Sequence, residues 1–193
     1  QESMGLSDPV YGRLFESQVL SEGEPLDADT PAQPRVEPEV GVKLEEPLEG
    51  PGVTGAEVLE AASYVFPSVE VLNSRYENYD FNLPDVIADN TSAHEFYVGS
   101  QIRTPHGIDM TTMGVIVEKN GRVTETGAGG AILGNPVNAV SGLANLLARQ
   151  GRGPVEAGQI VLTGGITDAV PVQPGDQLKI TFQDLGSLSF VCK

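Results

Sequence analysis

Glu37 and Glu39 stand two residues apart in the run Arg35-Val36-Glu37-Pro38-Glu39-Val40-Gly41-Val42-Lys43-Leu44. Alternate side chains of a strand share a face, so Glu37, Glu39, Gly41 and Lys43 project together, and Val36, Pro38, Val40, Val42 and Leu44 project the other way. Carboxylates buried side by side repel unless they are protonated or share a cation. A hard divalent ion such as Mg²⁺ or Mn²⁺ meets that need, because it takes oxygen ligands and leaves positions for water or substrate. In a chain this acidic, a solvated Glu-x-Glu strand edge is the alternative reading, and a third ligand has to decide between them. Glu70, in the apolar run Ser68-Val69-Glu70-Val71-Leu72, is the candidate. It is costly to bury alone, and neutralisation by Arg75 in a structural ion pair is the competing explanation.

The elements that must position these residues are legible in outline. Residues 1–35 are rich in Pro, Gly, Ser, Asp and Glu, with apolar anchors at Val10–Phe15 and Val19-Leu20, and read as an approach segment with one short strand or turn. The spacing predicts a strand over 36–44, a loop over 45–55, and a helix from a Thr54/Glu57 capping box to about Val65, stopped by Pro67. A strand at 68–72 follows, then a long polar connection over 73–100 dotted with aromatics, the kind of segment that is usually functional. His94 and His106 have no partner at zinc-ligand spacing and read as structural. Asn120-Gly121 predicts a type I′ hairpin, residues 127–134 a glycine-rich loop without the P-loop or dinucleotide spacing, and Asn135-Pro136 the start of a helix whose stripe is Val140, Leu143, Ala144 and Leu147. Strands at 159–163, 177–182 and 187–191 complete an α+β, mainly β chain: a mixed β-sandwich or roll with a few helices.

The chain has 193 residues and a formal net charge of −16, enough for one real core and the wrong sign for a nucleic-acid partner. Its lone cysteine, Cys192, permits no intrachain disulfide and suits a reducing compartment. No leader and no bilayer-length apolar run stand out, so a cytoplasmic protein without membrane association is expected.

Five motifs in order resemble the fumarylacetoacetate hydrolase superfamily, in the branch that contains vinylpyruvate (2-oxopent-4-enoate) hydratases and 4-oxalocrotonate decarboxylases. They are Glu37-Pro38-Glu39, Glu70-Val71-Leu72-Asn73-Ser74-Arg75, Ala88-Asp89-Asn90-Thr91-Ser92, the turn from Gly127 to Pro136, and Leu162-Thr163-Gly164. Pro9-Val10-Tyr11-Gly12, the Tyr76–Phe81 segment and Thr163-Gly164-Gly165-Ile166-Thr167 look like the decarboxylase side, and Val10 stands where hydratases carry an acid. Two features depart from the family. Its usual upstream Lys-x-Gly-Leu-Thr stretch, whose lysine reaches the active site, would precede Gln1, and Pro38 replaces the usual alanine, removing a backbone donor and suggesting a kinked or edge strand.

The resemblance implies that Glu37, Glu39 and Glu70 bind Mg²⁺ or Mn²⁺ and that residues 36–193 are the catalytic domain. It also implies a small 2-oxo acid substrate, a homo-oligomer, and a possible complex with a vinylpyruvate hydratase. The expected reaction is decarboxylation of 2-oxo-3-hexenedioate to 2-hydroxypenta-2,4-dienoate, with hydration of vinylpyruvate or a non-catalytic partner subunit as alternatives. Ser92 and Thr163 are the candidate catalytic hydroxyls. Arg75 and the amides of Gly164 and Gly165 are candidate substrate contacts. A loop-capping hydroxyl, a strand-end turn residue and an ion pair to Glu70 are the structural alternatives for Ser92, Thr163 and Arg75.

Overall fold

Alternation sets the central pair of strands. In β2 (Pro34–Leu44) Val36, Val40, Val42 and Leu44 are buried, and the strand runs antiparallel to β3 (Ala62–Asn73) over almost its whole length. The computed structural model describes residues 10–193. The first nine residues, including Pro9 of the Pro9-Val10-Tyr11-Gly12 motif, lie outside the described residues.

The first sheet has the order β1-β4-β3-β2-β7. β1 (Val19–Ser21) lies parallel to β4 (Ala93–Val98) at one edge, and β7 (Ile160–Leu162) and β8 (Val170–Pro171) pair successively along the free side of β2. The second sheet has the order β10-β9-β5-β6, built from β5 (Gly114–Lys119), β6 (Arg122–Ala128), β9 (Gln177–Phe182) and β10 (Gly186–Val191). Asn120 and Gly121 both have positive φ, as a type I′ hairpin between β5 and β6 requires. One apolar core joins the sheets, and Tyr97 of β4 stacks on Phe190 of β10 with ring centroids 4.3 Å apart. Among the described residues three α-helices decorate this mainly β frame: α1 (Gly55–Ala61), α2 (Leu83–Ala88) and α3 (Pro136–Arg149).

Several boundaries differ from the sequence expectation for physical reasons. α1 starts at the expected capping box of Thr54 and Glu57 but ends at Ala61. The β-branched and aromatic run that follows pairs with β2, so Ala62 and Val65 belong to a strand. Pro67 does not stop a helix but sits inside β3, where its carbonyl accepts from the Gly99 amide (2.9 Å) just past the end of β4, so no ladder donor is missed. Pro38 likewise sits in an inner strand and not at an edge. Its carbonyl accepts from the Ile166 amide (2.9 Å), so its donor-less nitrogen faces the break between β7 and β8. The 73–100 connection holds α2 and β4. Leu20, Leu26 and Ala28 join the common core, and β2 begins at Pro34.

The stretch Gly129–Arg149 holds an 18-residue window with a mean hydropathy of 1.2. It is a short 3-10 turn, a break at Leu133 and Gly134, and then the 14-residue α3, about 21 Å long against a bilayer core of about 30 Å. Val137, Val140 and Ala144 of α3 are buried in the protein core.

Candidate metal centre

Register places the carboxylates. Glu37 and Glu70 are directly paired across β2 and β3, and Glu39 lies one step along the same face of β2. Each of the three offers a carboxylate oxygen within 4.8 Å of the others. Glu39 is 1% exposed, and Glu37 and Glu70 are half-buried beside it.

Among the described residues none of the three forms an ion pair with a basic side chain. Burial first, then the Glu39 charge, pushes the Glu37 carboxyl up to about 8. Glu70 is raised by burial and by the Glu39 and Glu37 charges, and it shares a hydrogen bond with Glu39. Burial raises Glu39 as well, opposed by that hydrogen bond and by the Gly164 amide. Arg75 does not neutralise Glu70. Its guanidinium lies 3.3 Å from Asp89 and also donates to the carbonyls of Asp89 (3.2 Å) and Ala93 (3.4 Å).

The link from β7 to β8 forms the third wall. The Thr163 amide and Oγ1 both donate to the Val40 carbonyl, at 3.2 and 3.1 Å. The chain then bulges away from β2, and the Gly164 amide donates to Glu39 Oε2 at 2.6 Å. Gly164 has φ +100°, a conformation side chains rarely adopt, and a Cβ on Gly165 would stand 2.4 Å from Glu37 Oε2. Both glycines are therefore set by the carboxylates they touch. Ile132, from the glycine-rich loop, approaches the same bulge, its Cδ1 3.8 Å from where a Gly164 Cβ would be.

Ser92 belongs to a second cluster. Its buried hydroxyl donates to Asp89 Oδ2 (2.8 Å), which also accepts from Ser74 Oγ (3.3 Å). Asn90, Thr91 and Ser92 all have positive φ, three consecutive non-glycine residues in a costly conformation held by this carboxylate. A surface depression of about 500 Å³ is lined by Arg75, Tyr76, Ala88, Asp89 and Asn90 and does not include the three glutamates.

The sequence reading missed Asp89 as the hub that orders Ser74, Arg75 and Ser92. It also missed Arg35, which the alternation of β2 places on the face of Glu37 and Glu39; that signal was present in the spacing. Tyr79, over which the Arg35 guanidinium lies, carried no such signal.

The donor set fits a hard divalent cation. It is all oxygen and largely desolvated, with excess negative charge and no basic partner among the described residues.

No protein-family model matches the chain. A 4-oxalocrotonate decarboxylase of Pseudomonas putida is 44% identical over 186 residues, which cover 96% of this chain and 70% of that protein. A 2-keto-4-pentenoate hydratase of Paraburkholderia xenovorans (strain LB400) is 35% identical over 188 residues, 97% of this chain and 70% of that protein. Among solved structures, the 4-oxalocrotonate decarboxylase from Pseudomonas putida G7, complexed with magnesium and adipate, superposes with a TM-score of 0.94 at 43% identity, over 100% of this chain and 73% of that one.

Proposed function

This chain belongs to the hydratase/decarboxylase branch of the fumarylacetoacetate hydrolase superfamily, and from that membership we propose that it is a divalent-metal-dependent decarboxylase. Its substrate is 4-oxalocrotonate (2-oxo-3-hexenedioate), and its product is 2-hydroxypenta-2,4-dienoate. The observation that carries this reading is the trio of buried Glu39 and half-buried Glu37 and Glu70, which has no basic partner among the described residues, in a chain that matches the decarboxylase at higher identity than the hydratase.

Glu37, Glu39 and Glu70 hold Mg²⁺ or Mn²⁺ in this reading. When bound, the cation supplies Lewis-acid stabilisation of negative charge at the substrate's keto oxygen. The residues of the chain do the rest. Gly164 fixes Glu39 through its amide, so the ligand set is in place before substrate arrives. The bulge at Gly164-Gly165 brings backbone against Glu37 and Glu39, and Thr163, anchored to the Val40 carbonyl, keeps lone pairs free to accept from substrate or water. Loss of the distal carboxylate as carbon dioxide leaves an electron pair that runs through the conjugated double bond to the keto oxygen, which takes up one proton. Ser92, Asp89 and Arg75 form a separately braced cluster, which in this reading supplies Ser92 as a catalytic hydroxyl and Arg75 as a substrate contact. Residues 36–193 form the catalytic domain and residues 1–35 the segment leading into it.

The enzyme is cytoplasmic and homo-oligomeric in this reading and can associate with a vinylpyruvate hydratase. Carbon dioxide release from 2-oxo-3-hexenedioate is the test. Release with Mg²⁺ or Mn²⁺ that stops with chelator is expected. Water addition to vinylpyruvate without carbon dioxide would move the assignment to a hydratase, and metal binding without turnover of either compound would leave a partner subunit.

A further inference from the structure

Arg35, Glu37, Glu39, Gly41 and Lys43 alternate along one face of β2, so the carboxylates are flanked by a cation at each end. The two ends are not equivalent. At the Lys43 end the Phe66 ring lies against Gly41 and is fully buried, and Lys43 Nζ donates to the Gly158 carbonyl. At the other end Arg35 is half-buried and has no ion-pair partner among the described residues.

The Arg35 guanidinium is nevertheless held in place. Its Cζ sits 4.0 Å from the Tyr79 ring centroid, and Tyr79 is clamped in turn, its hydroxyl donating to the Gln33 carbonyl (2.9 Å). Gln33 Oε1 accepts from the Asn78 amide (2.7 Å) and its Nε2 donates to the Tyr76 carbonyl (2.8 Å), while Asn78 and Tyr79 both have positive φ. A planar cation held over an aromatic ring, with no acceptor for its N–H groups among the described residues, is a carboxylate receptor. Arg75, the other arginine considered for this role, is already engaged by Asp89 and two carbonyls.

Resting on the decarboxylase reading, we infer that Arg35 is the specificity-determining residue that takes the distal carboxylate of a six-carbon dicarboxylate whose 2-oxo acid end lies at the three glutamates. Arg35 and Glu37 are neighbours on one face of β2, their Cα atoms roughly 7 Å apart along the strand. The distal carboxylate is also the group that leaves, and its charge moves away in the transition state. The Arg35 contact is therefore stronger in the ground state, so it selects and orients substrate and does not accelerate the bond cleavage.

The test is calorimetric binding of adipate and of hexanoate to the Mg²⁺-loaded full chain, in the wild type, Arg35→Met and Arg35→Lys. The wild type should prefer adipate. Arg35→Met should weaken adipate roughly ten- to hundredfold, leave hexanoate unchanged and bind Mg²⁺ no more weakly, because a cation beside the ligands has been removed. Arg35→Lys should fall between, at least about threefold weaker for adipate, having kept the charge and lost the fork; it decides the matter alone if the methionine variant does not load metal. In turnover, KM for 2-oxo-3-hexenedioate should rise with kcat maintained or raised. An unchanged adipate-to-hexanoate ratio, or a fall in kcat at constant KM, would overturn the role of Arg35 while leaving decarboxylation intact. Arg35-dependent preference for adipate without carbon dioxide release would instead overturn the decarboxylase and leave the dicarboxylate receptor.

Discussion

At the scale of single residues, the three glutamates are a cost to the fold that a cation offsets. Glu37 is raised from the ordinary glutamate range to about 8, and Glu39 and Glu70 are raised with it, burial being the first cause in each. Carboxyls raised on folding bind more protons in the native state than in the unfolded chain. Stability of the chelated protein should therefore be highest below about pH 4.5, as far as these groups are concerned, and fall as pH rises from there through about 8. Mg²⁺ works in the opposite direction, because it binds the ionised set and displaces those protons. The expected outcome is a gap in Tm between Mg²⁺-loaded and chelated protein that widens steadily between pH 5 and 8. Thermal melts in one buffer series with and without excess EDTA measure it, and a gap independent of pH would show that these carboxyls are already ionised without metal.

At the scale of elements, the site is a strand pair plus the bulge that interrupts its third neighbour. Gly165 tests this arrangement. A Cβ there would press on the Glu37 carboxylate, the movable end of a side chain, and Gly165 lies outside the regular strands. Gly165→Ala should thus cost little stability but shift Glu37 and weaken Mg²⁺ at least about tenfold, since ligand misplacement is felt directly by the metal; isothermal titration against the wild type reads it. The Glu-x-Glu face of β2 was legible because alternation of period two needs no tertiary knowledge, and Asn120-Gly121 and Asn135-Pro136 were legible because turn and cap chemistry is local. The end of α1 was not. Val58, Leu59, Ala62 and Val65 fit a helical stripe, and only the pairing of Ala62–Asn73 with β2 turns the last two into strand residues. β4 and β8 were hidden for the same reason: Ala93–Val98 is half polar and Val170–Pro171 is two residues long, and each is a strand by virtue of its neighbour. At the site, the ligand trio could be read from residue type and spacing. The partner of Arg75 could not, because Asp89 reaches it through the α2 turn and not through any sequence period.

At the scale of the whole molecule, the sheet that carries the glutamates is one face of a core it shares with the second sheet. Tyr97 is fully buried in β4, paired with Val69 of β3 one residue from Glu70, and it stacks on Phe190 of β10 with an interplanar angle of 16°. The Tyr97 hydroxyl donates to the Glu24 carbonyl (2.8 Å), and Leu26 forms a parallel bridge with Cys192, so the chain ahead of β2 is tied to the end of β10 at the same place. Cys192 is buried there as a small apolar filler, and burial pushes its thiol up to about 11. Phe190 therefore joins both sheets and the leading segment at once. Phe190→Ala should cost about 3–5 kcal/mol, appearing in urea as a lower midpoint with an unchanged slope. Because one cluster spans both sheets, far-UV and near-UV circular dichroism should still report a single coincident transition. A second, earlier transition in the variant would mean that the sheets are separately stable, and the carboxylate site would then depend on the first sheet alone.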